Sequence, residues 1–156
     1  MEKIVWPVRS PKITSDYGRR VDPVTGASGQ WHDGLDMISS FNDSDILAIA
    51  DGVVVKDVDS YDPGQRYNVN SDSSVGRYVI LQHNIVGDIY FTRYCHLQEN
   101  RVTVGQRVGY GDIIGTMGTL GYSTGNHLHL DLYNANWEKC NPGMLLPDYD
   151  RIKNIK

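Results

Sequence analysis

Apolar and polar positions along this chain alternate with a period of two in many short runs. The clearest is His127-Leu128-His129-Leu130-Asp131-Leu132-Tyr133. Leu128, Leu130 and Leu132 point one way, and His127, His129, Asp131 and Tyr133 the other, the signature of a half-buried strand. Similar runs predict strands over 12–17, 34–38, 45–50, 52–58, 77–82, 89–95, 106–108 and 113–117, with 4–8 as an extended lead-in. Asp51-Gly52 reads as the turn of a hairpin joining 45–50 to 52–58. No stretch of a dozen residues has helical apolar spacing. Many short strands between turns predict an all-β fold: an antiparallel sheet or barrel-like sandwich, with a groove between its loops.

Composition agrees. The 156 residues suit one domain, taken as 1–156 with a core over about 12–146 and a polar C-terminal tail. Sixteen glycines and ten tyrosines favour strands and turns. A net charge of −4 with no basic run argues against a nucleic-acid partner. No segment approaches the roughly 20 apolar residues of a membrane span. Met1–Ser10 lacks an apolar signal core, so the chain is expected to be made without a secretion signal or to be a trimmed piece. Two cysteines, Cys95 and Cys140, provide no disulfide framework; free thiols are commoner than a bridge for such a pair, and the pairing stays open. The polar stretch 59–76 reads as a long loop bordering the groove.

The chemistry concentrates in two places. His127 and His129 stand on one strand face, and His32-Asp33-Gly34-Leu35-Asp36 lies far upstream. If 32–36 is extended, His32 and Asp36 share a face. Three histidines and a carboxylate suffice for a zinc site with an open position. Each half alone is a weak signal: the alternatives are a surface loop histidine at His32 and a solvated sheet face at His127 and His129. Their joint occurrence beside glycines strengthens the metal reading.

Ordered landmarks then carry a resemblance. Ser15-Asp16-Tyr17-Gly18-Arg19-Arg20, Asp22-Pro23-Val24-Thr25-Gly26, His32-Asp33-Gly34-Leu35-Asp36 and Ala50-Asp51-Gly52-Val53-Val54 come first. Tyr94-Cys95-His96-Leu97, Val104-Gly105-Gln106-Arg107-Val108, Gly115-Thr116-Met117-Gly118 and Ser123-Thr124-Gly125-Asn126-His127-Leu128-His129-Leu130 follow in order. The series resembles the lysostaphin-type (LytM-like) zinc metallopeptidases, which are peptidoglycan endopeptidases. The resemblance implies one zinc ion held by His32, Asp36 and His129, with His127 as a catalytic residue and His96 as its partner. It implies hydrolysis of peptide crosslinks or stem peptides in bacterial cell walls, by a monomer acting outside the cytoplasm or on a virion. Alternation adds that Thr92, Tyr94 and His96 share one face, so His96 is expected to face a cleft while Cys95 faces the core.

The chain has no H-E-x-x-H, so histidine is the expected proton-transfer group, its pKa lying near the working pH. Roles are not divided between His96 and His127, which are assigned jointly to proton transfer and to steadying the oxyanion. Relatives most like lysostaphin carry a tyrosine before the first ligand; Gly26–Trp31 has none, leaving Tyr61 or Tyr67 as substitutes. Many relatives have glutamate where Asp131 stands. Asp131 could orient an imidazole or be simply solvated. Arg20 could fork onto a substrate carboxylate or brace its loop. His83 reads as structural or surface, and Trp6, Trp31 and Trp137 as packing. The rival readings are a silent binding or amidase-activating module, a zinc carboxypeptidase or amidase, a structural virion component, and a biotinyl or lipoyl carrier. The last lacks a lysine at the required hairpin tip, and the intact histidine and aspartate set speaks against a silent module.

Overall fold

A computed structural model describes residues 3–20, 30–41, 43–58, 77–118 and 126–155, without side chains for Arg19, Arg20 and Gln30. Its strands are β1 (Pro11–Ser15), β2 (Gly18–Arg20), β3 (Gln30–His32), β4 (Leu35–Ser39), β5 (Asp45–Leu47) and β6 (Gly52–Val58). They continue as β7 (Arg77–Ile85), β8 (Asp88–Asn100), β9 (Arg107–Val108), β10 (Ile113–Met117), β11 (Leu128–Tyr133) and β12 (Lys139–Cys140). A 3-10 turn at Pro142–Met144 and the short helix α1 (Tyr149–Ile152) close the described chain. The fold is all-β and antiparallel. Seven strands run in the order β1-β4-β11-β8-β7-β6-β9, with β10 bridging β5 and β8. Among the described residues the two end strands do not pair, so the sheet is open rather than a closed barrel. A separate ribbon, β2–β3, stands beside it.

The sheet buries one face in a large apolar cluster that includes Leu35, Met37, Val54, Leu81, Tyr94, Leu97, Leu128 and Leu130. Full burial of each aliphatic side chain contributes roughly 1.5–3 kcal/mol. The other face carries a smaller cluster of Tyr78, Ile80, Phe91 and Cys95. Alternation puts Leu128 and Leu130 on the first face, and so delivers His129 and Asp131 to the second.

Two readings of the sequence need correction here. The strands around Asp51-Gly52 do not form a hairpin: β5 pairs with β10, while β6 pairs with β7 and β9. Gly52 serves close packing instead, since a Cβ there would lie 2.5 Å from the Gln82 carbonyl oxygen. The true tight hairpin joins β7 to β8, where Ile85 pairs with Asp88 across Val86 and Gly87, both at positive φ (53° and 86°). That is the backbone a two-residue type I′ turn requires. A valine at positive φ hides the turn from a reading based on residue preference. The C-terminal segment is also more than a polar tail. Ile152 is buried, and the Trp6 indole N–H donates to the Pro147 carbonyl at 2.7 Å.

His83 is structural. It is buried, its Nδ1 donates to the Asp51 carbonyl at 2.9 Å, and its Nε2 lies 2.8 Å from the Thr92 hydroxyl. Burial holds its pKa below the ordinary value, keeping the ring neutral. Tyr94 continues the chain, with its hydroxyl 2.9 Å from Thr92 and accepting from the Ile49 amide at 3.2 Å.

Candidate active site

The site is assembled by strand register. On β11, His129 lies opposite Asp36 of β4 on one side and Cys95 of β8 on the other. His129 and Asp36 therefore meet on one sheet face, with Nδ1 2.7 Å from Asp36 Oδ1. His32 reaches the same carboxylate from the β2–β3 ribbon, its Nε2 3.6 Å from Asp36 Oδ2. The expectation that 32–36 is one extended segment fails, because the chain breaks at Asp33-Gly34 between β3 and β4. The two side chains converge across a bend at Gly34 rather than by alternation along one strand. Ligand atoms of His32, Asp36 and His129 lie within 4.8 Å of one another.

Each imidazole is oriented by what its other nitrogen meets. His32 Nδ1 donates to the Asp16 carbonyl at 2.9 Å, which leaves Nε2 for Asp36. Asp16 is itself tied down, its carboxylate accepting from the Tyr17 amide and from the Tyr149 hydroxyl of α1. Gly143 makes room for that tyrosine, since a Cβ would sit 2.4 Å from its ring. His129 Nε2 donates to Asp131 Oδ1 at 2.8 Å. Asp131 is fully buried, which rules out the solvated alternative, and Arg93 donates to its Oδ2 from Nε and Nη2 at 2.9 and 2.7 Å.

Burial opposes an imidazolium at His129, but Asp131 and Asp36 on its two nitrogens outweigh it and push its pKa up to about 10. Burial likewise raises the Asp36 carboxyl, yet His129, with His32 and His127 nearby, holds it below its ordinary range. Asp131 is depressed further: His129, Arg93 and Lys139 overcome its burial.

His127 and His96 flank this cluster. His127 Nε2 is 3.8 Å from Asp36 Oδ1. The ring of His96 lies 4.9 Å from that of His127 and 6.0 Å from that of His129, between centroids. Simple alternation misplaces the β8 side chains. Tyr94 is in the large core and Cys95 packs with Phe91 on the opposite face, 3.9 Å from Asp131. A bulge resolves this. Val79 pairs with Tyr94 and Arg77 with Leu97, so two residues of β8 oppose one of β7. His96 takes φ 64°. The extra residue returns Leu97 to the large core and turns His96 to the cluster's side. Positive φ in a non-glycine residue costs of order 1–3 kcal/mol and gathers at functional sites.

Arg20 lies on β2 opposite Gln30; its side chain is outside the described residues, as are Tyr61, Tyr67, the 59–76 loop and 121–125. The residues missed from sequence are the braces: Asp16, Tyr149 and Arg93. An arginine alternating with buried residues in β8, opposite Asp131, was the available signal for Arg93. Nothing local announces Tyr149.

The model of peptidase family M23 matches residues 30–142, and the chain belongs to that family. Peptidoglycan DD-endopeptidase ShyC of Vibrio cholerae is 37% identical over 129 residues, covering 80% of this chain and 26% of the relative. The catalytic domain of lysostaphin from Staphylococcus simulans superposes with a TM-score of 0.62 at 28% identity, covering 84% of this chain and 88% of that one. A zinc-containing peptidase from Vibrio cholerae superposes with a TM-score of 0.65 at 28% identity, covering 90% and 39%. The chain spans about a quarter of the length of the curated relatives it matches.

Proposed function

We propose that this domain is a zinc-dependent endopeptidase that hydrolyses peptide bonds of bacterial peptidoglycan. The observation that carries the reading is the convergence of His32 Nε2, Asp36 and His129 Nδ1 on one point, with His96 and His127 beside it. Two imidazoles and one carboxylate are a donor set that zinc accepts while keeping a position open. The printed names of the relatives, a peptidoglycan DD-endopeptidase and lysostaphin, support the substrate class. A bound zinc ion supplies Lewis acidity, polarising a peptide carbonyl and bringing the ionisation of water to near neutral pH.

The chain's own residues do the rest. His32 and His129 present one nitrogen each, fixed by Asp16 and Asp131 at the other. Asp36 supplies the negative charge that offsets a dication. His96 and His127 stand where they can take a proton from an attacking water, donate one to the departing amine, and hydrogen-bond a developing oxyanion. Among the described residues no helix is long and apolar enough to cross a membrane. Cell-wall peptide as substrate places the site of action outside the cytoplasm or on a virion, and one chain contributes every residue of the cluster, in keeping with a monomer.

The test is zinc stoichiometry measured alongside clearing of purified cell walls. One zinc per chain, clearing abolished by a chelator and restored by zinc, and no clearing by His129→Ala support the proposal. Stoichiometric zinc with intact walls makes the domain a silent binding module instead.

A further inference from the structure

The Arg93–Asp131 pair is an ion pair that stability alone gives little reason to keep. Asp131 is fully buried in the middle of β11 and Arg93 is its cross-strand partner on β8. A buried carboxylate is costly to desolvate, and apolar residues of similar volume often replace buried ion pairs without loss. Here the charge is compensated from three sides. Arg93 contributes two N–H groups to Oδ2, Lys139 Nζ lies 3.5 Å from Oδ1, and His129 Nε2 donates to the same oxygen at 2.8 Å. Lys139 also reaches Asp33, 3.2 Å away, within the segment that carries His32 and Asp36. The Arg93 guanidinium is held over Tyr78 and Tyr133, with its central carbon 5.6 and 5.8 Å from the ring centroids. Gly34 lies against the His129–Asp131 bond; a Cβ there would sit 2.4 Å from His129 Nε2 and 2.6 Å from Asp131 Oδ1.

We infer that Asp131 and Arg93 are positioning residues for His129. Arg93 fixes the Asp131 carboxylate, which accepts the hydrogen bond from the His129 Nε2–H and turns Nδ1 toward Asp36 and His32. The inference rests on the reading of His32, Asp36 and His129 as a metal centre and adds the device that sets the imidazole's orientation. A ligating histidine whose other N–H is held by a carboxylate is a stronger and better aligned donor, and loss of such a partner typically weakens metal binding by about 10–100-fold. A purely structural ion pair would affect melting but leave the zinc affinity of folded protein untouched.

The experiment is a competition titration with zinc, with the protonation of the His129 ring followed by long-range proton–nitrogen NMR on the zinc-loaded chain. Wild-type protein should carry the His129 proton on Nε2. Asp131→Asn should weaken zinc by about 10–100-fold and shift or broaden the His129 Nε2 signal. Arg93→Gln, which leaves the carboxylate in place without its charged fork, should weaken zinc by more than about twofold, and it carries the test if Asp131→Asn fails to fold. Zinc affinity within twofold of wild type in either folded variant, with the His129 ring signals unchanged, overturns the inference and leaves the metal centre standing. A wild-type chain that takes no zinc at His129 overturns both.

Discussion

Gly34→Ala puts a single methyl group where the site is tightest. Its Cβ would fall 2.4 Å from both Cε1 and Nε2 of His129 and 2.6 Å from Asp131 Oδ1. Neither neighbour can retreat cheaply. Asp131 is fully buried and clamped by Arg93, and His129 is bonded at both nitrogens. The methyl must therefore break the His129–Asp131 bond or push β4 away from β11. Loss of a charge-assisted hydrogen bond costs about 1.5–3 kcal/mol, and overpacking a filled site about 1–3 kcal/mol. Either route therefore costs about 1–3 kcal/mol, which corresponds to roughly 2–12 °C in melting temperature for a domain of this size. Thermal unfolding of the chelator-treated protein, followed by circular dichroism, measures it. Gly109→Ala is the control, because its Cβ would meet nothing closer than 3.6 Å. Equal melting temperatures for Gly34→Ala and Gly109→Ala would refute the reasoning.

Three further outcomes are expected. His129 has its pKa raised from 6.5 to about 10, so its stabilisation of metal-free protein is fully present below about pH 6.5 and lost as pH rises toward 10; melting curves across that range should fall for wild type and stay flatter for His129→Asn, and a wild-type curve that rises would contradict the charge assignment. His96→Gly removes the imidazole while relieving its positive φ of 64°, so melting should hold or rise slightly while wall hydrolysis drops by about 10²–10⁴; retained hydrolysis would remove His96 from the chemistry. Thr92→Val leaves His83 Nε2 and the Tyr94 hydroxyl short of a partner; it should cost about 1–3 kcal/mol in denaturant unfolding with activity per folded molecule unchanged, and an activity loss without destabilisation would give that buried chain a catalytic part.

The strand face bearing His129 and Asp131 was legible because alternation in β11 is uninterrupted and leucines mark the buried side. The pairing of His32 with Asp36 was legible as a motif but not as geometry, since a bend at Gly34 separates β3 from β4 instead of one extended strand carrying both. His96 was reached through the resemblance of Tyr94-Cys95-His96-Leu97, while its orientation depends on a bulge that puts the core residues Tyr94 and Leu97 three apart and so breaks the period-two reading. The Val86-Gly87 turn escaped for a similar reason, a β-branched residue standing where asparagine or glycine is usual. Braces from far along the chain, such as Tyr149 on Asp16 across 133 residues, exist only once the chain has folded.

The most direct measurement is mass spectrometry of the fragments released from purified cell walls, comparing zinc-loaded wild type, chelator-treated wild type, His129→Ala and His127→Ala. Peptide fragments with new amine ends, appearing with zinc-loaded wild type and missing from the other three, are the expected result, and their masses identify the bond. Fragments that persist in chelator, or in either variant, would contradict a zinc endopeptidase built on His32, Asp36 and His129 with His127 beside them.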